Sequence, residues 1–85
     1  MGILTDQDLN WLCKKVHESW MQRRLDEGWS FGQFRDDEKK EHPSIVPYEA
    51  LSLSEKNYDR TTIEETIKGL LELGYKIEKN KESKA

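Results

Sequence analysis

The chain of 85 residues is long enough for one domain with one small core. Hydrophobic residues make up 34% and charged residues 36%, a balance near the disordered class that three Trp, three Tyr and two Phe offset by the large area each can bury. A net charge of −3 and a pI near 5.4 exclude a general nucleic-acid surface, and no stretch approaches the roughly 20 apolar residues of a membrane span.

The first element predicted is a helix. Thr5 is placed to cap it, Asp8 stands three residues on as in a capping box, and the acidic first turn suits the helix dipole. Leu9, Leu12, Cys13, Val16, Trp20 and Met21 then fall on one face, with Leu25 extending the pattern. Gly28, just after Arg23-Arg24, is placed to stop the helix in a left-handed conformation. Trp29 to Phe34 alternates aromatic with small or polar residues, as a short strand or extended strip would. Arg35 to His42 is almost continuously charged, and Pro43 and Pro47 oppose regular structure nearby. The aromatics and Ile45-Val46 that flank this run favour an ordered connection.

Pro47 suits the start of a short helical turn through Tyr48 to Leu51. Ser54-Glu55-Lys56 can begin a further helical segment, and spacing leaves open whether it joins the next one. Thr61 and Thr62, each with Glu three residues later, read as overlapping capping boxes for a main second helix carrying Ile63, Ile67, Leu70 and Leu71 on one face. Gly74 ends it, and Tyr75-Lys76-Ile77 reads as a short strand. The fold class expected is mainly α with minor short strands: two antiparallel amphipathic helices and a long ordered connection, in one domain over 5–78 with a flexible tail over 79–85.

Little in the chain matches known catalytic or metal chemistry. Cys13 and His17 stand at i, i+4 on the first helix, but Cys13 belongs to the apolar stripe, where a thiol is a packing group. One Cys and two His are a poor zinc set, and Asp36-Asp37-Glu38 lacks the alternating acids and central Gly of a calcium loop. No glycine-rich phosphate loop is present. No enzyme and no cofactor are expected. The single cysteine excludes an intramolecular disulfide, and residues 1–6 lack the basic and apolar regions of a signal peptide, so a cytoplasmic protein is expected.

What stands out is the connection. Trp29, Phe31, Tyr48 and Tyr58 offer ring faces, and Arg35, Lys39, Lys40, His42, Lys56 and Arg60 offer donors and positive charge for a phosphate or carboxylate. The competing reading makes the aromatics core and pairs Arg35 and Arg60 with acids such as Asp36 and Asp59.

The segments Glu27 to Gly32, Arg35-Asp36-Asp37, Lys40 to Pro43, Ile45 to Tyr48, Glu55 to Arg60 and Glu65 through Tyr75 together resemble the RyR repeat of ryanodine receptors, over about Leu9 to Ile77. The resemblance implies a mainly helical domain with small β elements. In the calcium-release channels such repeats occur as tandem pairs on the cytoplasmic assembly, and free-standing versions occur in bacteria and phages. A channel role would be analogy by fold alone. This chain has no Arg-Arg-x-Ser-like phosphorylation sequence. The resemblance also implies a nucleotide-like ligand.

Two functions follow as expectations. In the first, a non-catalytic binding module holds a small anionic or nucleotide-like ligand, with Trp29, Tyr48 or Tyr58 stacking its ring and Arg35, His42 and Arg60 receiving its anion. In the second, the chain is an interaction domain that homodimerises, and the same residues are internal scaffold pinned by Arg35–Asp59 or Asp36–Arg60 pairs. Neither nucleic acid nor membrane is an expected partner.

Overall fold

The structure, a computed structural model, describes residues 4–80. It is mainly helical: α1 (Asp6–Asp26), β1 (Ser30–Phe31), β2 (Glu41–His42), a 3-10 turn (Tyr48–Ala50) and α2 (Leu53–Glu72) follow in chain order. The expected minor strands are β1 and β2.

Helix α1 begins as its sequence dictates. Thr5 Oγ1 accepts from the Asp8 amide at 3.0 Å and the Asp8 carboxylate accepts from the Thr5 amide at 3.4 Å, completing the capping box. Its end is set by Gly28 at φ 92°, where the Gly28 amide donates to the Leu25 carbonyl and the Trp29 amide to that of Arg24. This pair of bonds satisfies the last carbonyls of the helix. Gly74 closes α2 in the same way, with Leu71 and Leu70 accepting.

Helix α2 starts earlier than the threonine pair predicts. Ser52 caps it, accepting from the Glu55 amide, and residues 53–72 form one continuous helix. Thr61 and Thr62 are therefore interior. Thr62 donates its hydroxyl to the Tyr58 carbonyl and Thr66 does the same to Thr62, the back-bonding open to a mid-helix threonine. Tyr75 to Ile77, expected as a strand, is irregular, since the described residues place no strand beside it for pairing. The tail expected over 79–85 lies, from residue 81 onward, outside the described residues.

The charged connection is ordered by its own side chains. Asp36 and Glu41 exchange both backbone hydrogen bonds at 2.9 Å, closing a turn over 37–40. Asp36 Oδ1 accepts from the amides of Glu38 and Lys39, and Lys40 takes a left-handed conformation at φ 54°. The turn folds the chain back far enough for β1 and β2 to pair in parallel, Ser30 opposite Glu41 and Phe31 opposite His42. Gly32 permits this approach: a Cβ there would stand 2.5 Å from the Glu41 Cβ.

Among the described residues the buried apolar ones are Leu9, Cys13, Ile45, Tyr48 and Leu51, with Val46 and Ile63 packed against the Cys13–Tyr48–Leu51 cluster. The 3-10 turn thus plugs the space between the helices. No residue of α2 is fully buried, and Leu70, Leu71, Leu73 and Tyr75 are exposed at its far end. The two helices meet where Asp6 bonds Arg60 and where His17 and Trp20 share a cleft with Glu55 and Asp59.

Candidate functional site

The cleft lies between the second half of α1, the start of α2 and the segment after β2. It encloses about 350 Å³ and is lined by Val16, His17, Trp20, His42, Ser44, Leu51, Glu55, Tyr58 and Asp59. That volume falls at the lower end of small-molecule sites, about 300–1,000 Å³.

Helical spacing explains the two walls. His17 and Trp20 stand at i, i+3 on α1, and Glu55, Tyr58 and Asp59 stand at i, i+3 and i+4 on α2, so each set shares a face. The Trp20 ring stacks 5.7 Å from His17 and meets His42 edge-on at 5.2 Å. Its orientation is therefore held by the two imidazoles it separates.

Hydrogen bonding assigns both histidine tautomers. His17 is buried with its Nε2 2.7 Å from the Val46 carbonyl oxygen, an atom that only accepts, so Nε2 carries a proton. His42 Nδ1 accepts from the Ser44 amide at 3.0 Å, which leaves the proton of the neutral ring on Nε2. Burial, and then the Arg35 charge, hold His42 below the ordinary histidine value.

The two carboxylates are used differently. Glu55 accepts from the hydroxyls of Ser44 and Ser52 and makes no ion pair among the described residues. Asp59, partly buried, makes no hydrogen bond and no ion pair among the described residues. Burial pushes its carboxyl up, the His17 imidazole works against that shift, and Glu55 adds to it.

The six residues expected from sequence fall into separate places. His42 and Tyr58 line the cleft. Trp29 stands at the His42 end, its ring 6.5 Å from the imidazole and 5.1 Å from the Arg24 guanidinium. Tyr48 is buried in the core, packed with Cys13 and Leu51. Arg35 is exposed and binds Asp37 at 2.9 Å. Arg60 lies on another face, bonded to Asp6 at 2.7 Å and facing Glu64 at 3.8 Å. The pairs expected as scaffold, Arg35–Asp59 and Asp36–Arg60, are replaced by these because Asp36 is occupied by its turn and Arg60 faces the start of α1.

Sequence reading missed His17, Trp20, Ser44, Glu55 and Asp59 as site residues. The i, i+3 step from His17 to Trp20 was visible, but it reads as part of an apolar stripe. Cys13 and His17 do not form a pair: Cys13 is buried in the cluster with Tyr48 and Leu51, which raises its pKa, and His17 bonds the Val46 carbonyl. Among the described residues no group of acids, histidines and cysteine is placed to hold a metal ion. No described helix is long and apolar enough to cross a membrane.

Fold and cleft together define a small helical module built around an aromatic and histidine-lined cavity. The family model of the RyR domain matches residues 5–79, and the chain belongs to the RyR domain family.

Proposed function

We propose that the chain is a non-catalytic binding module of the cytoplasm whose cleft takes a small nucleotide-like ligand. The observation that carries this reading is the ring-lined cavity itself, with Trp20 fixed between two imidazoles and Tyr58 exposed at its edge. A planar ring stacks on such side chains for about 1–3 kcal/mol per base. Arg24, 5.8 Å from Trp20, and Arg35, whose charge reaches His42, supply positive charge at one end for an anionic substituent.

Thermal shift across a nucleotide and nucleoside panel, followed by calorimetry, tests the reading. Saturable binding that Tyr58→Ala weakens is the expected result, and Tyr58 is exposed enough for its loss to leave the fold intact. Absence of saturable binding at millimolar ligand would sink the proposal.

A second reading, a homodimer, is favoured by the far end of α2. The molecule measures 44 × 26 × 24 Å with a radius of gyration of 15.5 Å, against about 11–12 Å for a compact chain of this size. Leu70, Leu71 and Leu73 stand exposed on the projecting part. Light scattering after size exclusion decides it: a mass of two chains that Leu71→Asp halves is expected, and a monomer at all concentrations refutes it.

A further inference from the structure

Within the proposed binding reading, we infer that the cleft selects a ring presenting two adjacent hydrogen-bond donors, the edge of a guanine-type 2-amino-4-oxopyrimidine, and that Asp59 is the residue that reads it.

The inventory of the cleft is rich in acceptors. Asp59 has both oxygens free of hydrogen bonds among the described residues, while Glu55 has its oxygens turned to serine hydroxyls. His17 spends its Nε2 proton on the Val46 carbonyl, so that edge of the ring is closed to a ligand. The Ser44 hydroxyl is committed to Glu55, and the donors left on the walls are the Nε2 proton of neutral His42, the Trp20 indole N–H and the Tyr58 hydroxyl. A ligand that satisfies the Asp59 carboxylate must bring donors to it.

A carboxylate accepts two parallel N–H bonds side by side, and a planar pair of adjacent donors matches that geometry. The guanine edge supplies such a pair, a ring N–H beside an exocyclic amine. An adenine edge sets a ring acceptor beside its amine and would face Asp59 with two lone pairs opposed. The carboxylate is only partly buried and, among the described residues, no buried polar side-chain atom lacks a partner, so its oxygens stay open to a ligand while burial pushes its pKa up. Arg35 and Arg60 lie apart from the floor of the cleft, one held by Asp37 and the other by Asp6.

The test compares guanosine, inosine and adenosine by calorimetry, with inorganic phosphate as the anion alone and with the Trp20 indole followed by nitrogen-15 NMR. Guanosine is expected to bind and shift that indole; inosine, which lacks the amine, is expected to bind about tenfold more weakly, as loss of one bond to a charged acceptor implies. Adenosine is expected to be weaker still. In Asp59→Asn the order collapses while the melting temperature does not fall, which separates recognition from folding. Adenosine binding as well as guanosine, an unchanged preference in Asp59→Asn, or a guanosine response confined to other tryptophans overturns the inference and leaves the binding module standing. Binding of phosphate alone does the same. No binding by any of the four overturns both.

Discussion

Replacing Leu51 by Ala is the sharpest probe of how this chain holds together. Leu51 is 8% exposed and packs in the cluster with Cys13 and Tyr48, and it also forms part of the cleft wall. Removing a buried leucine side chain costs about 2–5 kcal/mol, the transfer of its methyls plus the cavity left behind. The total stability of a chain this size is about 4–12 kcal/mol at roughly 0.05–0.15 kcal/mol per residue. With so few buried apolar residues to share the load, the variant loses a large fraction of its stability. Leu53, two residues on, is 73% exposed, and its replacement by Ala is expected to stay within about 0.5 kcal/mol. Urea unfolding of both variants, followed by far-ultraviolet circular dichroism and tryptophan fluorescence, measures the difference. A Leu51→Ala cost below about 1 kcal/mol, or equal costs at the two positions, would refute the argument that the 3-10 turn plugs the core.

Gly32→Ala is expected to lower the melting temperature and broaden the β1–β2 amide signals, because its Cβ would meet the Glu41 Cβ at 2.5 Å; wild-type melting would show that the strands have room to part. Asp59 has a folded pKa raised by burial, so the folded state binds the extra proton and stability falls as pH rises from the unfolded value through the folded one. Asp59→Asn removes that loss, and its melting temperature at pH 7 is expected to equal or exceed that of the parent; a clear drop would mean the carboxylate holds the fold together. His42 has the opposite linkage: its folded pKa is lowered, so stability is lost as pH falls from 6.5 toward the folded value. His42→Asn, whose amide oxygen can replace Nδ1 as acceptor for Ser44, should flatten the fall in melting temperature below pH 6.5, and an unchanged slope would assign it to another group.

Local rules explain what was legible in the sequence. Thr5 with Asp8, and the glycines at 28 and 74, act on backbone groups within four residues, so the bounds of α1 and the end of α2 follow from sequence alone. The start of α2 did not, because Ser52 and the Thr61–Thr62 pair carry equally good capping patterns. Only packing of the 3-10 turn and Ile63 against Cys13 decides that the helix runs through both threonines. An ordered connection was foreseen from its bordering aromatics and Ile45-Val46, but the turn at 37–40 and the parallel pairing of β1 with β2 were not, since the pairing depends on Gly32 lying against Glu41.

The site shows the same division. Ring and charge types pointed to residues 29–60, and of the six residues expected there His42 and Tyr58 line the cleft. Which charges meet is a property of helix crossing, a long-range quantity that spacing along one helix does not contain. Crossing brings His17 and Trp20 to Glu55 and Asp59, and turns Arg60 toward Asp6 on another face. By itself the sequence determined the helices, their stops, the family and the residue types available for binding. The tertiary structure alone decided that His17, Trp20, Glu55 and Asp59 share one cavity, because electrostatic character belongs to the groups that face one another in space.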